Sequence, residues 1–195
     1  MTPDFTSPST GATMDILYRK ERDPMKQLLV VIDMQEDFIS GALGTPEARA
    51  IVPAVVRRIA EFDGDVVYTR DTHGPDYLNT AEGRKLPVVH CVRDTPGWQI
   101  HPEVLRAGAG NTAAVIDKPT FGFGALCDFA AEGGYDAIEL VGLCTDICVI
   151  SNALCLKARL WETPIAVRRD CCAGVTPASH DNALAAMAMC QIDLL

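Results

Sequence analysis

The sequence has no long apolar run and no excess of positive charge. No stretch of its 195 residues approaches the roughly 20 apolar residues of a membrane-spanning helix. The first 25 residues lack the basic start and apolar core of a signal peptide. The net charge of −9 disfavours a polyanionic partner. We therefore expect a cytoplasmic protein with neither nucleic acid nor membrane as a partner.

The eight cysteines lack the setting of a disulfide framework, which belongs to short, loop-rich secreted chains. Most of them fall within apolar helical or strand patterns, so we expect free thiols. The adjacent pair Cys171 and Cys172 has no CxxC spacing. A structural pair near a strand end is the main interpretation, and a redox role is the alternative.

Residues 1–24 are rich in Thr, Ser, Pro and Gly at their start and show no apolar periodicity. This composition predicts a flexible N-terminal extension. From residue 25 to residue 195, apolar runs alternate with segments of helical periodicity, which is typical of βαβ units. The pattern predicts one α/β domain, a three-layer Rossmann-like fold with about six parallel strands and helices on both faces.

The individual elements follow from these runs. The predicted strands are Leu28–Asp33, Asp65–Arg70, Thr112–Lys118, Ala137–Gly142, Thr163–Arg168 and a short one near Ile192. The predicted helices are Glu47–Phe62, Gly124–Glu132, Thr145–Trp161 and Ser179–Cys190. Thr145 and Ser179 are predicted N-caps, because their hydroxyls can accept a hydrogen bond from the first helical turn.

Three reactive side chains follow apolar runs: Asp33, Lys118 and Cys148. Parallel strands end at one edge of a sheet, and an acid, a cation and a thiol at that edge suit an activated cysteine nucleophile. The first helical turn around Cys148 would favour a thiolate and could receive an oxyanion. Each residue also has a simpler interpretation: a buried small thiol, a loop-capping carboxylate and a solvated lysine.

The connection from Asp71 to Gly110 is long and has modest helical content, which favours a functional role. It carries Asp71 and His73 at alternate positions, followed by His90. Two imidazoles and a carboxylate can hold a divalent ion, or they can form a hydrogen-bonded loop core. The sequence assigns no role to His180.

The motifs IDMQEDF around Asp33, KPTFGFG from Lys118 and GLCTDICV around Cys148 resemble the isochorismatase-like cysteine hydrolases, the nicotinamidase group in particular. The resemblance spans roughly residues 26–195 and implies the isochorismatase-like hydrolase fold. It further implies that Cys148 is the nucleophile, Asp33 the general base and Lys118 the residue that orients Asp33. It also implies a cis peptide between Leu143 and Cys144, with the N–H groups of Cys144 and Cys148 forming an oxyanion hole.

The same resemblance implies a metal site built from Asp71, His73, His90 and one further ligand. Many members of the group have a histidine where this chain has Asp76–Tyr77. Glu82 is the best substitute, because some relatives use a glutamate at similar spacing; otherwise it is a solvated loop charge. The expected ion is Zn²⁺, with Mn²⁺ or Fe²⁺ as alternatives.

For the substrate pocket, the resemblance implies aromatic contacts from Phe38, Phe121 and Phe123, although each could instead be core. The tryptophan that often precedes the metal histidine is replaced by the sequence LPVVH. The expected reaction is amide hydrolysis through a thioester, with nicotinamide converted to nicotinate for NAD salvage by a homo-oligomer. The alternatives are hydrolysis of another small amide, ureido or carbamoyl compound, and a non-catalytic binding subunit of the same fold.

Overall fold

Six parallel strands form one sheet in the computed structural model, which describes residues 25–195. The strands are β1 (Gln27–Ile32), β2 (Asp65–Asp71), β3 (Thr112–Lys118), β4 (Ala137–Leu143), β5 (Ile165–Ala173) and β6 (Asp193–Leu194). Their order across the sheet is β3-β2-β1-β4-β5-β6. The predicted parallel sheet is confirmed, whereas the predicted N-terminal extension lies outside the described residues.

The strand order places a topological switch point at the centre of the sheet. The chain builds outward from β1 through β2 to β3, then returns to the other side of β1 with β4. Loops leaving the carboxyl ends of β1 and β4 therefore diverge and leave a crevice between them. Crevices of this kind are where open α/β sheets bind ligands.

Helices cover both faces of the sheet, as predicted. They are α1 (Glu36–Ile39), α2 (Pro46–Ala60), α3 (Pro102–Ala107), α4 (Gly124–Gly133), α5 (Ile150–Arg159) and α6 (Pro177–Met189). Helices α1 to α3 pack on one face and α4 to α6 on the other. Within residues 25–195, no helix has both the length and the apolar character needed to cross a membrane.

Side chains of the central strand alternate between the two cores. Leu29 and Val31 of β1 pack with α2, whereas Leu28, Val30 and Ile32 pack with the helices of the other face. All five are fully or almost fully buried. Burial on both faces explains why this strand reads as a continuous apolar run rather than an alternating one.

Both predicted N-caps are wrong. Helix α6 begins after Thr176, whose side chain accepts from the Ser179 N–H, and Ser179 completes a capping box from the third helical position. Thr145 caps no helix: residues 145–149 form a π-helical turn that continues into α5. The Thr145 hydroxyl instead lies 2.8 Å from Nδ1 of His180, a contact between distant segments that the sequence does not reveal.

Strand β5 is longer than predicted. Its pairing with β4 shifts, because Leu140 pairs with Val167 but Gly142 pairs with Cys172. The polar run Arg168–Asp170 bulges out of register and resembles a strand end in the sequence. Beyond the bulge, Cys171 packs in one core and Cys172 in the other. All eight cysteines, which lie within the described residues, are free.

Glu139 of β4 ties three elements together. Its carboxylate accepts two hydrogen bonds of 2.7 Å from Arg58 of α2. It accepts two more from Arg168 of β5, at 2.7 and 3.3 Å. Burial would raise the pKa of Glu139, but the two guanidinium groups hold that pKa below its usual value. The carboxylate is therefore the form that stabilises the fold.

We predict that Glu139→Gln lowers the free energy of unfolding by about 1–3 kcal/mol, because two partly buried guanidinium groups lose their anion. Urea unfolding at neutral pH measures this loss, and Glu162→Gln on the exposed surface is the control. The pKa of Glu139 is lower in the folded state than in the unfolded state. Its carboxylate therefore stabilises the fold fully above the unfolded-state pKa, and this stabilisation is lost as the pH falls through the folded-state pKa. The difference between the wild type and Glu139→Gln should therefore shrink at acid pH. If the difference in the free energy of unfolding stays constant from neutral to acid pH, the stabilisation by Glu139 is not ionic.

Candidate active site

Gly142 brings the ends of β1 and β4 into close contact. Its φ of +117° is rarely adopted by residues with a side chain, and a Cβ at this position would lie 2.1 Å from the carbonyl oxygen of Ile32. The following peptide, Leu143–Cys144, is cis, as the resemblance implied. This close approach brings the turn that carries Cys148 next to Asp33.

Asp33, Lys118 and Cys148 meet at the carboxyl edge of the sheet. The Lys118 ammonium nitrogen lies 2.6 Å from Oδ2 of Asp33 and 3.4 Å from Sγ of Cys148. It also donates to the carbonyl oxygen of Thr120 at 3.2 Å. Oδ1 of Asp33 accepts the Thr69 hydroxyl at 2.6 Å. The structure thus brings the three predicted residues into one buried cluster.

Burial sets the protonation of this cluster. Although burial alone would lower the pKa of the Lys118 ammonium, the Asp33 and Asp71 carboxylates raise it above its usual value, so the ammonium stays charged. Burial and the Asp33 carboxylate raise the pKa of the Cys148 thiol well above its ordinary value. A raised pKa favours the protonated thiol over the expected thiolate in the resting site, so attack by the sulfur requires a nearby base to take the proton.

The four predicted metal ligands also meet. One side-chain donor atom from each of Asp71, His73, Glu82 and His90 lies within 4.8 Å of the other three. Nε2 of His73 and Nε2 of His90 lie 2.9 and 3.5 Å from Oδ2 of Asp71. Each of these nitrogens lies 3.7 Å from Oε1 of Glu82. Sequence spacing alone could not show that Glu82 faces inward.

Contacts outside the cluster orient its members. Nδ1 of His90 lies 2.8 Å from the Val88 carbonyl oxygen. Because a carbonyl oxygen only accepts hydrogen bonds, Nδ1 carries the proton and the lone pair of Nε2 can bind a metal. Gln35 brackets the backbone of Asp71, accepting from its N–H at 2.7 Å and donating to its carbonyl at 2.9 Å. The Tyr77 ring lies 4.6 and 4.9 Å from the rings of His73 and His90.

The charges of the cluster suit a divalent cation. Burial and the neighbouring Asp71 carboxylate raise the pKa of Glu82, which shows that a second negative charge is unfavourable there. Oδ1 of Asp71 is buried and has no hydrogen-bond partner among residues 25–195. Two imidazole nitrogens and two carboxylate oxygens are a donor set for Zn²⁺, Mn²⁺ or Fe²⁺. The residues present therefore fit the predicted metal.

A cavity of about 570 Å³ opens above both clusters. Cys148, Asp71 and His90 form its buried floor. Phe38 and Phe121 line its walls. The cavity thus exposes a thiol and three of the four potential metal ligands, Asp71, Glu82 and His90, to the same bound molecule.

Phe123 does not line this cavity, in contrast to the expectation. It precedes α4, and its N–H donates to Oδ1 of Asn152 at 3.1 Å. Nδ2 of Asn152 donates to the carbonyl oxygens of Phe121 and Cys148, both at 2.8 Å. This fully buried amide therefore joins the turn of the thiol to the loop that follows Lys118.

Sequence reasoning missed the residues that orient the site: Gln35, Thr69, Tyr77 and Asn152. Asn152 left a weak signal, because it lies on the buried face of α5 with Ala153 and Leu156, where an apolar residue is usual. A polar side chain at such a position needs buried partners. The sequence does not reveal which groups those partners are.

We predict that Asn152→Ala lowers the free energy of unfolding by about 1–3 kcal/mol, since it leaves two carbonyl oxygens and one N–H without their partner. Asn152→Asp should also destabilise, because a carboxylate cannot donate to those carbonyl oxygens. Asn182→Ala, on the exposed face of α6, is the matched control and should change stability by under about 0.5 kcal/mol. Equal urea midpoints for Asn152→Ala and Asn182→Ala would contradict this role.

Comparison with known proteins gives relatives along nearly the whole chain. The chain is 28% identical over 185 residues to the nicotinamidase/pyrazinamidase of Mycobacterium tuberculosis, covering 86% of this chain and 97% of the relative. The pyrazinamidase of Pyrococcus horikoshii, solved in complex with zinc, is 26% identical with a TM-score of 0.69, covering 87% of this chain and 98% of the other.

A third relative bears a different name. The N-carbamoylsarcosine amidase of Thermoplasma acidophilum is 29% identical with a TM-score of 0.68, covering 87% of this chain and 95% of the other. The family model described as the isochorismatase domain matches residues 27–194. The fold and this match agree with the resemblance found in the motifs, and the chain belongs to the isochorismatase domain family.

Proposed function

We propose that the protein is a cysteine-dependent amidohydrolase that acts on small-molecule amides, with nicotinamide as the leading substrate. The observation that carries the proposal is the Lys118 ammonium, which lies 2.6 Å from Asp33 and 3.4 Å from the Cys148 sulfur. The named activity of the mycobacterial relative, nicotinamidase/pyrazinamidase, supports the choice of substrate.

In the proposed mechanism, the Cys148 sulfur attacks the amide carbonyl carbon. Asp33 takes the thiol proton and passes it to the leaving nitrogen, so ammonia departs and a thioester remains. Asp33 then takes a proton from water, the hydroxide attacks the thioester, and the acid leaves as the thiol regains its proton. Oδ1 of Asp33 accepts the Thr69 hydroxyl, and we assign this proton to Oδ2, which lies 2.6 Å from the Lys118 ammonium.

Lys118 and the turn before Cys148 complete the proposed chemistry. The ammonium holds Asp33 in place and keeps positive charge beside the reacting sulfur. We assign the N–H groups of Cys144 and Cys148 to the developing oxyanion, because both residues line the cavity. Such donors stabilise the charge that appears only in the transition state.

We also propose that Asp71, His73, Glu82 and His90 hold one divalent ion, with Zn²⁺ as the leading choice. The zinc complex of the Pyrococcus horikoshii pyrazinamidase supports this assignment. When bound, such an ion supplies a positive charge that orients a substrate ring nitrogen or a water molecule. The chain's own contribution is to orient the His90 ring through its contact with the Val88 carbonyl oxygen. Asp71 is both a proposed metal ligand and a neighbour of the Lys118 ammonium, at 3.6 Å.

A second candidate function is hydrolysis of a carbamoyl compound, which the similarity to N-carbamoylsarcosine amidase favours. Assays of ammonia release from nicotinamide, pyrazinamide and N-carbamoyl amino acids, with and without added Zn²⁺ or Mn²⁺, distinguish the two. Turnover of none of these amides would favour the non-catalytic binding subunit.

We predict that Cys148→Ala abolishes ammonia release, because the sulfur is the nucleophile. Cys155→Ala, at an exposed position of α5, is the matched control and should retain wild-type activity. Asp33→Asn should lower kcat by about 10²–10⁴-fold, the usual range for a lost proton transfer. Circular dichroism checks that each variant is folded. An active, folded Cys148→Ala protein would exclude the proposed mechanism.

We predict that the purified protein carries one divalent ion per chain and that His73→Ala loses it, since removal of a ligand commonly weakens metal affinity by at least about 10-fold. Elemental analysis measures the ion directly, independently of activity. His101→Ala, outside the cluster at the start of α3, should retain the metal. A metal-free protein that stays fully active in the presence of a chelator would refute a functional metal site.

A further inference from the structure

The active-site cavity is deeper than a single ring amide requires. It has a volume of about 570 Å³ and runs from buried residues to exposed ones. Cys148 and His90 at the floor are 5% and 3% exposed, whereas Phe121 and Val175 at the rim are 40% and 51% exposed. A six-membered ring with one amide group, placed against Cys148, would fill only the inner part. The outer part can hold an extension of the substrate.

The walls between floor and rim are apolar. Phe38, Leu43 and Ile147 line the middle, and Leu86 joins Phe121 at the rim. Binding cavities of this kind hold the apolar body of a ligand by area, and a few polar groups fix its orientation. The body of the extended substrate should therefore be apolar, and any polar group should fall where the cavity offers a partner.

Most charged groups around the cavity already have partners. Lys118 faces Asp33, and the carboxylates of Asp71 and Glu82 face the two histidines. Lys85 is different: it lines the cavity and is exposed, and no carboxylate in residues 25–195 lies within ion-pair distance of its ammonium. A lysine ammonium is a compact charge on a flexible stem and can follow an anionic group of the ligand.

We infer that the cavity also accepts amides whose apolar body ends in a carboxylate that binds Lys85 at the rim, and that it favours them over neutral amides of the same length. The inference rests on the proposed function, which puts the amide at Cys148. A chain with a net charge of −9 repels anions at long range, so a preference for an anionic amide must come from a local cation. Lys85 is the exposed cation that this cavity provides.

Three ring amides test the inference: benzamide, 3-(3-carbamoylphenyl)propanoate and its neutral analogue 3-(3-hydroxypropyl)benzamide. We expect kcat/KM of the wild type, measured by ammonia release, to be about three- to tenfold higher for the anionic amide than for the neutral analogue. Added salt should reduce this ratio. Both extended amides should also exceed benzamide, because they bury more apolar surface.

The test variant is Lys85→Met, which keeps the apolar stem and removes the charge, so the ratio between the anionic and neutral amides should fall to near one. Lys157→Met makes the same change on α5, where the ammonium donates to the Trp161 carbonyl away from the cavity, and should keep the wild-type ratio. A wild-type ratio near one, or a ratio unchanged in Lys85→Met, would overturn the inference.

A binding experiment separates this inference from the proposed function. Calorimetry with the Cys148→Ala protein measures the affinity for the same two extended amides without turnover. Tighter binding of the anionic amide, lost when Lys85→Met is added to Cys148→Ala, supports the anion site. This conclusion holds even if the wild type hydrolyses neither amide. Absence of hydrolysis would reject only the proposed function. Equal binding of the two amides rejects the anion site.

Discussion

The buried ammonium of Lys118 is the interaction on which the whole site depends. It reaches from the last residue of β3 to Asp33 after β1, to Cys148 after β4, and to within 3.6 Å of Asp71 at the end of β2. An uncompensated charge at full burial would be very costly, so the cation requires these anions around it. One side chain thus couples the thiol cluster to the potential metal ligands.

The fold makes that convergence possible through two local features. The strand order puts the switch point between β1 and β4, where diverging loops leave room above the sheet. Gly142 then lets the end of β4 approach the Ile32 carbonyl more closely than any side chain would allow. The polar network of Gln35, Thr69 and Asn152 holds the resulting loops, and burial raises the pKa of the Cys148 thiol.

The sequence anticipated the residues that carry chemistry better than their surroundings. Asp33 and Lys118 stood at the ends of apolar runs and Cys148 in the turn after another, and parallel strands deliver their ends to one edge. The expectation that Glu82 faces the histidines came only from the resemblance, because spacing within a 40-residue connection does not define which side chains converge. The long β5 was missed because its bulge exposes a polar run, and the pairing of Thr145 with His180 joins residues 35 positions apart.

By itself, the sequence determined the class of fold, the two-sided burial of the sheet and the identity of the reactive groups, since these follow from hydrophobic periodicity and residue chemistry. Only the tertiary structure decided that Phe123 turns away from the cavity, that Asn152 bridges two loops and that burial raises the pKa of the Cys148 thiol. Side-chain direction, buried hydrogen bonds and desolvation depend on neighbours from distant parts of the chain. Local sequence patterns therefore cannot specify them.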